Sequence, residues 1–225
     1  TTGYDVHGLF GIFGNGDAIA DKPGRRYFAD YGGVKVAFLH REACAMPGVE
    51  VACEIGFCAG LSALLLLEAF PRARVLSFDL GNLPWAHAAD DMLRAQYGSA
   101  RFPGVVFGDA AATIPREHAQ RPFACDAVFV DGDKSYAGRY ASLAKLHAVS
   151  RDGAAVFMDE VTTEPCINGT YAPVQHERQC RDRNANYWPA VRAYNRAARE
   201  GWLRVQRCAW PPRHRHDGIC LARFS

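Results

Sequence analysis

Short apolar runs that end on a polar or glycine residue recur along the chain. Val51 to Ile55, Arg74 to Asp79, Val105 to Phe107, Cys125 to Val130 and Gly153 to Met158 each read as a buried strand. Helical stretches separate them. Leu61 to Phe70 is apolar on nearly every face, and Pro71 stops it. Leu83 to Tyr97 opens at Pro84, a favoured first-turn position, and Gly98 closes it. Ala110 to Glu117 has Asp109 placed as its cap, and Ala137 to Val149 is a further helix. Pro189 to Glu200 is the last helix, with Gly201 at its end. Leu203 to Cys208 and Ile219 to Phe224 then read as a hairpin. This alternation predicts an α/β fold: a doubly wound, mostly parallel, seven-stranded sheet with a C-terminal antiparallel hairpin.

The pattern finds no internal repeat and no break, so residues 1–225 are expected to form a single domain. Residues 1–48 give an irregular glycine-rich arm, anchored by Phe10 and Phe13, and then a cover helix. That helix falls within Arg25 to Ala45, interrupted at Gly32-Gly33, with Val34, Phe38 and Leu39 at helical spacing. Residues 49–160 are the core, 161–187 a polar insertion with Pro165 and Pro173, and 188–225 the final helix and hairpin.

Composition narrows the function classes. About half of the residues are apolar (49%), enough for a sizeable core. The net charge of +2 gives no broad electrostatic case for nucleic acid. No apolar run is long enough to span a bilayer. The first residue is Thr1 rather than Met, which suits a processed chain whose targeting segment is already gone. Eight cysteines are many for a cytosolic enzyme and few for a disulfide scaffold, and no Cys-x-x-Cys pair points to structural zinc. With the sequon Asn168-Gly169-Thr170 they hint at a secretory or organelle lumen. Buried cysteines in a reducing cytoplasm fit as well.

Chemistry concentrates at one place in the pattern. Gly56, Asp79, Asp109, Asp131 and Asp159 all fall at carboxyl ends of strands, where open α/β sheets bind ligands. Val51 to Asp79 is a strand–glycine turn–helix–strand–acid unit. Its glycines allow close backbone approach to a ligand, and its terminal acid can accept from both hydroxyls of a ribose. Asp79 follows Gly60 by about 20 residues, as a nucleoside-binding unit requires. The spacing Gly-x-x-x-Gly disfavours a nicotinamide dehydrogenase. Glu54, two residues before Gly56, suits a sulfonium or amino-acid moiety better than a pyrophosphate.

Glu54-Ile55-Gly56-Phe57-Cys58-Ala59-Gly60-Leu61-Ser62 resembles motif I of the class I S-adenosylmethionine-dependent methyltransferases. The resemblance implies a Rossmann-like methyltransferase fold and S-adenosylmethionine as cofactor. It implies a binding set of Glu54, Gly56, Phe57, Gly60, Ser62, Asp79, Leu80, Asp109, Ala110 and Asp131. Capping of the following helix explains Asp109 equally well.

Three acids, Asp131, Asp159 and Glu160, lie at ends of what should be neighbouring strands, and such hard oxygen donors suit Mg²⁺ or Ca²⁺. Val130-Asp131-Gly132-Asp133-Lys134-Ser135-Tyr136 is similar to a segment of the metal-dependent catechol-type O-methyltransferases. By that resemblance Asp131 is a metal ligand and Lys134 the base on the substrate hydroxyl, with Asp159-Glu160 completing the metal site. Glu160 departs from the Asn or Asp of that family. Sugar O-methyltransferases share a looser form of the segment and often carry His in place of Lys134. The implied reaction is in-line methyl transfer to a hydroxyl of a small molecule, with the metal lowering the hydroxyl's pKa.

Other features stay open. His214 and His216 suit a metal, an anionic substrate or a solvated hairpin loop. Cys208 with Cys220, and Cys166 with Cys180, are placed where disulfides are conceivable. Tyr187 and Trp188 suit a pocket wall or the core, and His176 and Arg178 a substrate contact. The competing function is a catalytically silent methyltransferase-like subunit, docking through the arm and insertion. Homo-oligomer and assembly subunit are both compatible with the sequence.

Overall fold

The computed structural model of the chain describes residues 33–161, 188–211 and 218–225. The arm with Phe10 and Phe13, the insertion with Cys166, His176, Arg178, Cys180 and Tyr187, the sequon, and His214 and His216 lie outside the described residues. Helix α1 (Gly33–Cys44) leads into β1 (Val51–Ile55), α2 (Leu61–Ala69), β2 (Arg74–Asp79), α3 (Pro84–Arg101), β3 (Val105–Phe107) and α4 (Ala110–Gln120). Then follow β4 (Cys125–Val130), α5 (Tyr136–Ala148), β5 (Ser150–Val161), α6 (Trp188–Arg199), β6 (Leu203–Ala209) and β7 (Gly218–Phe224).

The strands form one seven-stranded sheet in the order β3-β2-β1-β4-β5-β7-β6. The first five run parallel, and β7 is antiparallel to both β5 and β6. This is the doubly wound sheet with a C-terminal hairpin that the sequence predicts. Alternate residues of each strand enter opposite cores. Cys53, Ile55, Val128, Val130, Val156 and Met158 pack with α5 and α6 on one face. Ala52, Val75, Ala127, Phe129, Ala155 and Phe157 pack with α1, α2 and α3 on the other. Both faces are covered, so the strands read as continuous apolar runs rather than as alternating ones.

Helix α2 buries Ala63, Leu64, Leu66 and Leu67, while Glu68 on its other side is exposed. In α3 the expected stop at Gly98 is a kink: Gly98 has φ 73°, and one further helical turn reaches Arg101. Strand β5 runs beyond the expected Met158 and includes Asp159 and Glu160. Asp159 pairs with Ile219 and Val161 with Gly218, so Glu160 is skipped in the register. It is a bulge residue with φ 60°. The two acids therefore lie within a bulged strand end rather than in a loop. The bulge breaks the simple alternation of side chains there.

Candidate active site

The chain runs outward from β1 to β2 and β3, then returns to place β4 on the other side of β1. The carboxyl ends of β1 and β4 therefore flank the switch point where such sheets bind ligands. Gly56 and Asp131 meet there. Asp131 N donates to Ile55 O at 2.9 Å, and Gly56 N donates to Phe78 O at 2.9 Å. Gly56 has φ 96°, and a Cβ on it would stand 2.5 Å from the Asp131 carbonyl oxygen. Gly60 has φ 80°, and its Cβ would meet the Phe57 ring at 2.9 Å. At both positions a Cβ would collide with the protein's own atoms. Phe57 is buried and stacks on Phe102 at 5.9 Å, so its ring faces the core.

Glu54 is wholly buried beneath this loop. Ser62 on α2 donates to its Oε2 at 2.6 Å, and Ser77 on β2 donates to its Oε1 at 2.5 Å. The carboxyl thus braces β1, α2 and β2 together, and both of its oxygens are engaged. Burial pushes its pKa up to about 7, against the lowering effect of the two hydroxyls.

Asp79 ends β2 and ties two loops. Its Oδ2 accepts from Cys58 N at 3.0 Å and its Oδ1 from Gly81 N at 2.8 Å. Each oxygen keeps lone-pair capacity for a further donor. Leu80 beside it is exposed, as is Trp85 in the first turn of α3. Asp109 caps α4 by accepting from Ala111 N at 2.9 Å, which accounts for its side chain. Ala110 begins α4 and packs partly against the core.

Asp131, Asp159 and Glu160 do come together, but with cations among them. Lys134 Nζ bonds to Asp131 Oδ1 and lies 2.8 Å from Glu160 Oε1. Arg139 Nη2 donates to Glu160 Oε2 at 2.9 Å. Lys35 of α1 reaches Asp159 Oδ1 at 2.6 Å, which pins the cover helix onto the rim. The other end of α1 is held by Glu42, paired with Arg207 of β6 at 2.5 Å. Among the described residues no group of three His, Cys, Asp or Glu side chains is arranged to hold a metal ion. The expected metal ligands Asp131, Asp159 and Glu160 are therefore brought together, but as partners of protein cations. Their donor oxygens face three such cations, and the donor set does not fit a divalent ion as it stands.

Arg139 went unrecognised in the sequence, where it looks like a helix-surface residue. It is fully buried and donates to Val130 O at 2.7 Å, Asp133 O at 3.0 Å and Tyr194 Oη at 2.8 Å. Tyr194 of α6 in turn donates to Asp159 O at 3.0 Å. Lys35 and Tyr194 were equally invisible, because their partners lie far away in sequence. Trp188 takes the core position open to it.

The electrostatics follow from this crowding. Burial, then the Asp159 carboxylate, pushes Asp131 up to about 7, with Lys134 opposing. Burial works against the Lys134 ammonium, but Asp131 and Glu160 outweigh it and hold its pKa above the ordinary lysine value. The two carboxylates thus work against the expected role of Lys134 as a free base.

Residues 53–161 match the family model described as a methyltransferase domain. No curated protein matches the chain in sequence. Among solved structures, an O-methyltransferase from Bacillus cereus in complex with SAH superposes with TM-score 0.62 at 21% identity, covering 84% of this chain and 80% of that one. The O-methyltransferase TomG from Streptomyces achromogenes, involved in tomaymycin synthesis and in complex with SAM, gives TM-score 0.62 at 22% identity over 84% and 79%. The chain has the class I methyltransferase fold, and its methyltransferase-domain match covers the strand ends that carry Glu54, Asp79, Asp131 and Asp159.

Proposed function

We propose that the chain is an S-adenosylmethionine-dependent O-methyltransferase acting on a hydroxyl of a small molecule. One observation carries the reading: Asp79, bonded to the glycine loop at Cys58 N, shares a sheet edge with the Asp131–Lys134 pair across the switch point. Asp79 suits a ribose diol, and the loop from Gly56 to Gly60 suits the remainder of the nucleoside. S-adenosylmethionine, when bound, supplies an electrophilic methyl group on sulfur. What remains is to position the acceptor oxygen and take its proton. Asp131, with its pKa near 7, is suited to accept that proton near neutral pH. The Lys134 ammonium, 46% exposed and beside Asp131, is placed to stabilise the oxygen as it gains negative charge. Divalent-metal assistance is left out of this reading, because the donor oxygens are engaged by Lys35, Lys134 and Arg139.

The small-molecule acceptor is supported by the neighbours named as O-methyltransferases. A catechol-like compound and a sugar both fit the motif. Titration calorimetry with S-adenosylmethionine and with its demethylated product tests the proposal. Micromolar binding is expected for both, with loss on Asp79→Ala. Absence of binding by either would overturn it.

A further inference from the structure

We propose that Lys35, Lys134 and Arg139 take the place of a divalent cation at the carboxylate rim, so that methyl transfer runs without one and the acceptor hydroxyl is engaged singly rather than chelated. The inference rests on the methyltransferase reading of the rim and deepens it. Three carboxylates, Asp131, Asp159 and Glu160, stand against three cations, so the cluster is formally neutral. Each cation comes from a different element. Lys35 reaches Asp159 from α1, Lys134 bridges Asp131 and Glu160 from the β4–α5 loop, and Arg139 holds Glu160 from α5.

Glu160 shows the substitution most directly. Its bulged backbone at φ 60° is a conformation that Asn or Gly adopts more readily than Glu. Its two oxygens are divided, one to Lys134 and one to Arg139. A divalent ion needs six or so oxygen donors at short range. Here it would have to expel two ammonium groups and then sit beside a buried guanidinium that cannot lose its charge. Protein cations also leave no open coordination positions for a pair of substrate oxygens. The acceptor this site fits is therefore a compound with one reacting hydroxyl and no obligatory neighbouring donor.

The experiment is electron paramagnetic resonance of Mn²⁺ added to the full chain, with and without the demethylated cofactor. The wild-type chain should leave the signal of free hydrated Mn²⁺ at full amplitude, and chelator should leave turnover unchanged. The double variant Lys35→Met/Lys134→Met uncovers the carboxylates and should bind Mn²⁺ about tenfold more tightly or better. Stoichiometric Mn²⁺ on the wild type, lost in Asp159→Asn, would overturn the proposal. So would turnover abolished by chelator, or a double variant that binds Mn²⁺ no better than wild type. Cofactor calorimetry reads the methyltransferase assignment separately, since Mn²⁺ binding is scored whether or not the cofactor binds.

Discussion

Arg139 Nη2 lies 2.9 Å from Glu160 Oε2, and Glu160 is the residue that the pairing of β5 with β7 skips. The bulge is thereby fastened from within, by a cation that also bonds Val130 O and Tyr194 Oη. Arg139→Met removes the cation and leaves Glu160 nearly buried with one partner fewer. The expected loss is about 3–5 kcal/mol in urea denaturation, because breaking a buried pair strands its partner. Arg139→Lys keeps the charge but not the planar fork, and should fall between the two. A methionine variant as stable as wild type would refute this fastening.

Asp79 predicts an effect on binding with little effect on fold. Asp79→Asn keeps one acceptor for Cys58 N or Gly81 N but loses the charge that strengthens bonds to ribose hydroxyls. Cofactor affinity should drop roughly ten- to a hundredfold, the worth of one to two charge-assisted bonds. Calorimetry alongside thermal denaturation checks it, and unchanged affinity at unchanged Tm would remove Asp79 from the ribose role.

Glu54 predicts a pH dependence of stability. Burial raises its folded-state pKa from 4.5 to about 7, so the folded chain holds this proton more tightly than the unfolded chain does. The stability that proton supplies is fully present below the unfolded value and is lost as pH rises through the folded one. Above that window the ionised buried carboxylate costs on the order of 3 kcal/mol. Glu54→Gln carries no charge, so its Tm relative to wild type should climb between about pH 5 and about pH 8. A difference that stays flat over this range would mean that Glu54 does not titrate there.

Much of this site could be read from the chain because its acids close apolar strands. Asp79 and Asp131 end or follow runs that are buried on both faces, and the next residue must leave the sheet. What could not be read acts across distance. Arg139 meets Tyr194 from 55 positions away, and Glu160 from 21. On a helix of ordinary composition its sequence neighbourhood carries no sign of burial. The bulge at Glu160 depends on how β7 pairs with β5, which no local pattern records. Three carboxylates and Lys134 are visible in the chain, whereas the reach of Lys35 and Arg139 to those carboxylates is not.

The glycine motif separates packing from strain. Gly56→Ala meets both, at φ 96° and with its Cβ 2.5 Å from Asp131 O. Gly98→Ala meets only the positive φ of 73°, with nothing within 4 Å. Gly98→Ala should therefore cost about 1 kcal/mol, and Gly56→Ala clearly more. Gly56→Ala should also reduce turnover, since Asp131 is what moves. Equal costs in chemical denaturation would show that β4 yields freely at this point.

Cys53 of β1 and Cys125 at the start of β4 form a disulfide that closes 72 residues, and Cys208 and Cys220 form one that closes 12. The second follows from register, since the two residues face each other across β6 and β7. The first joins neighbouring strands far apart in sequence, inside the core under α5. Constraint of the unfolded chain makes them worth about 4 and about 3 kcal/mol respectively. Disulfides form and persist mainly in oxidising environments, so the redox state in which the chain is produced decides whether both bonds are present. Peptide mapping without reductant should recover both pairs from chain produced by secretion, and reductant should lower its Tm by several degrees. Cys53→Ala/Cys125→Val should reproduce most of that loss. Free thiols at all four of these positions in secreted chain, with Tm indifferent to reductant, would return them to plain core packing.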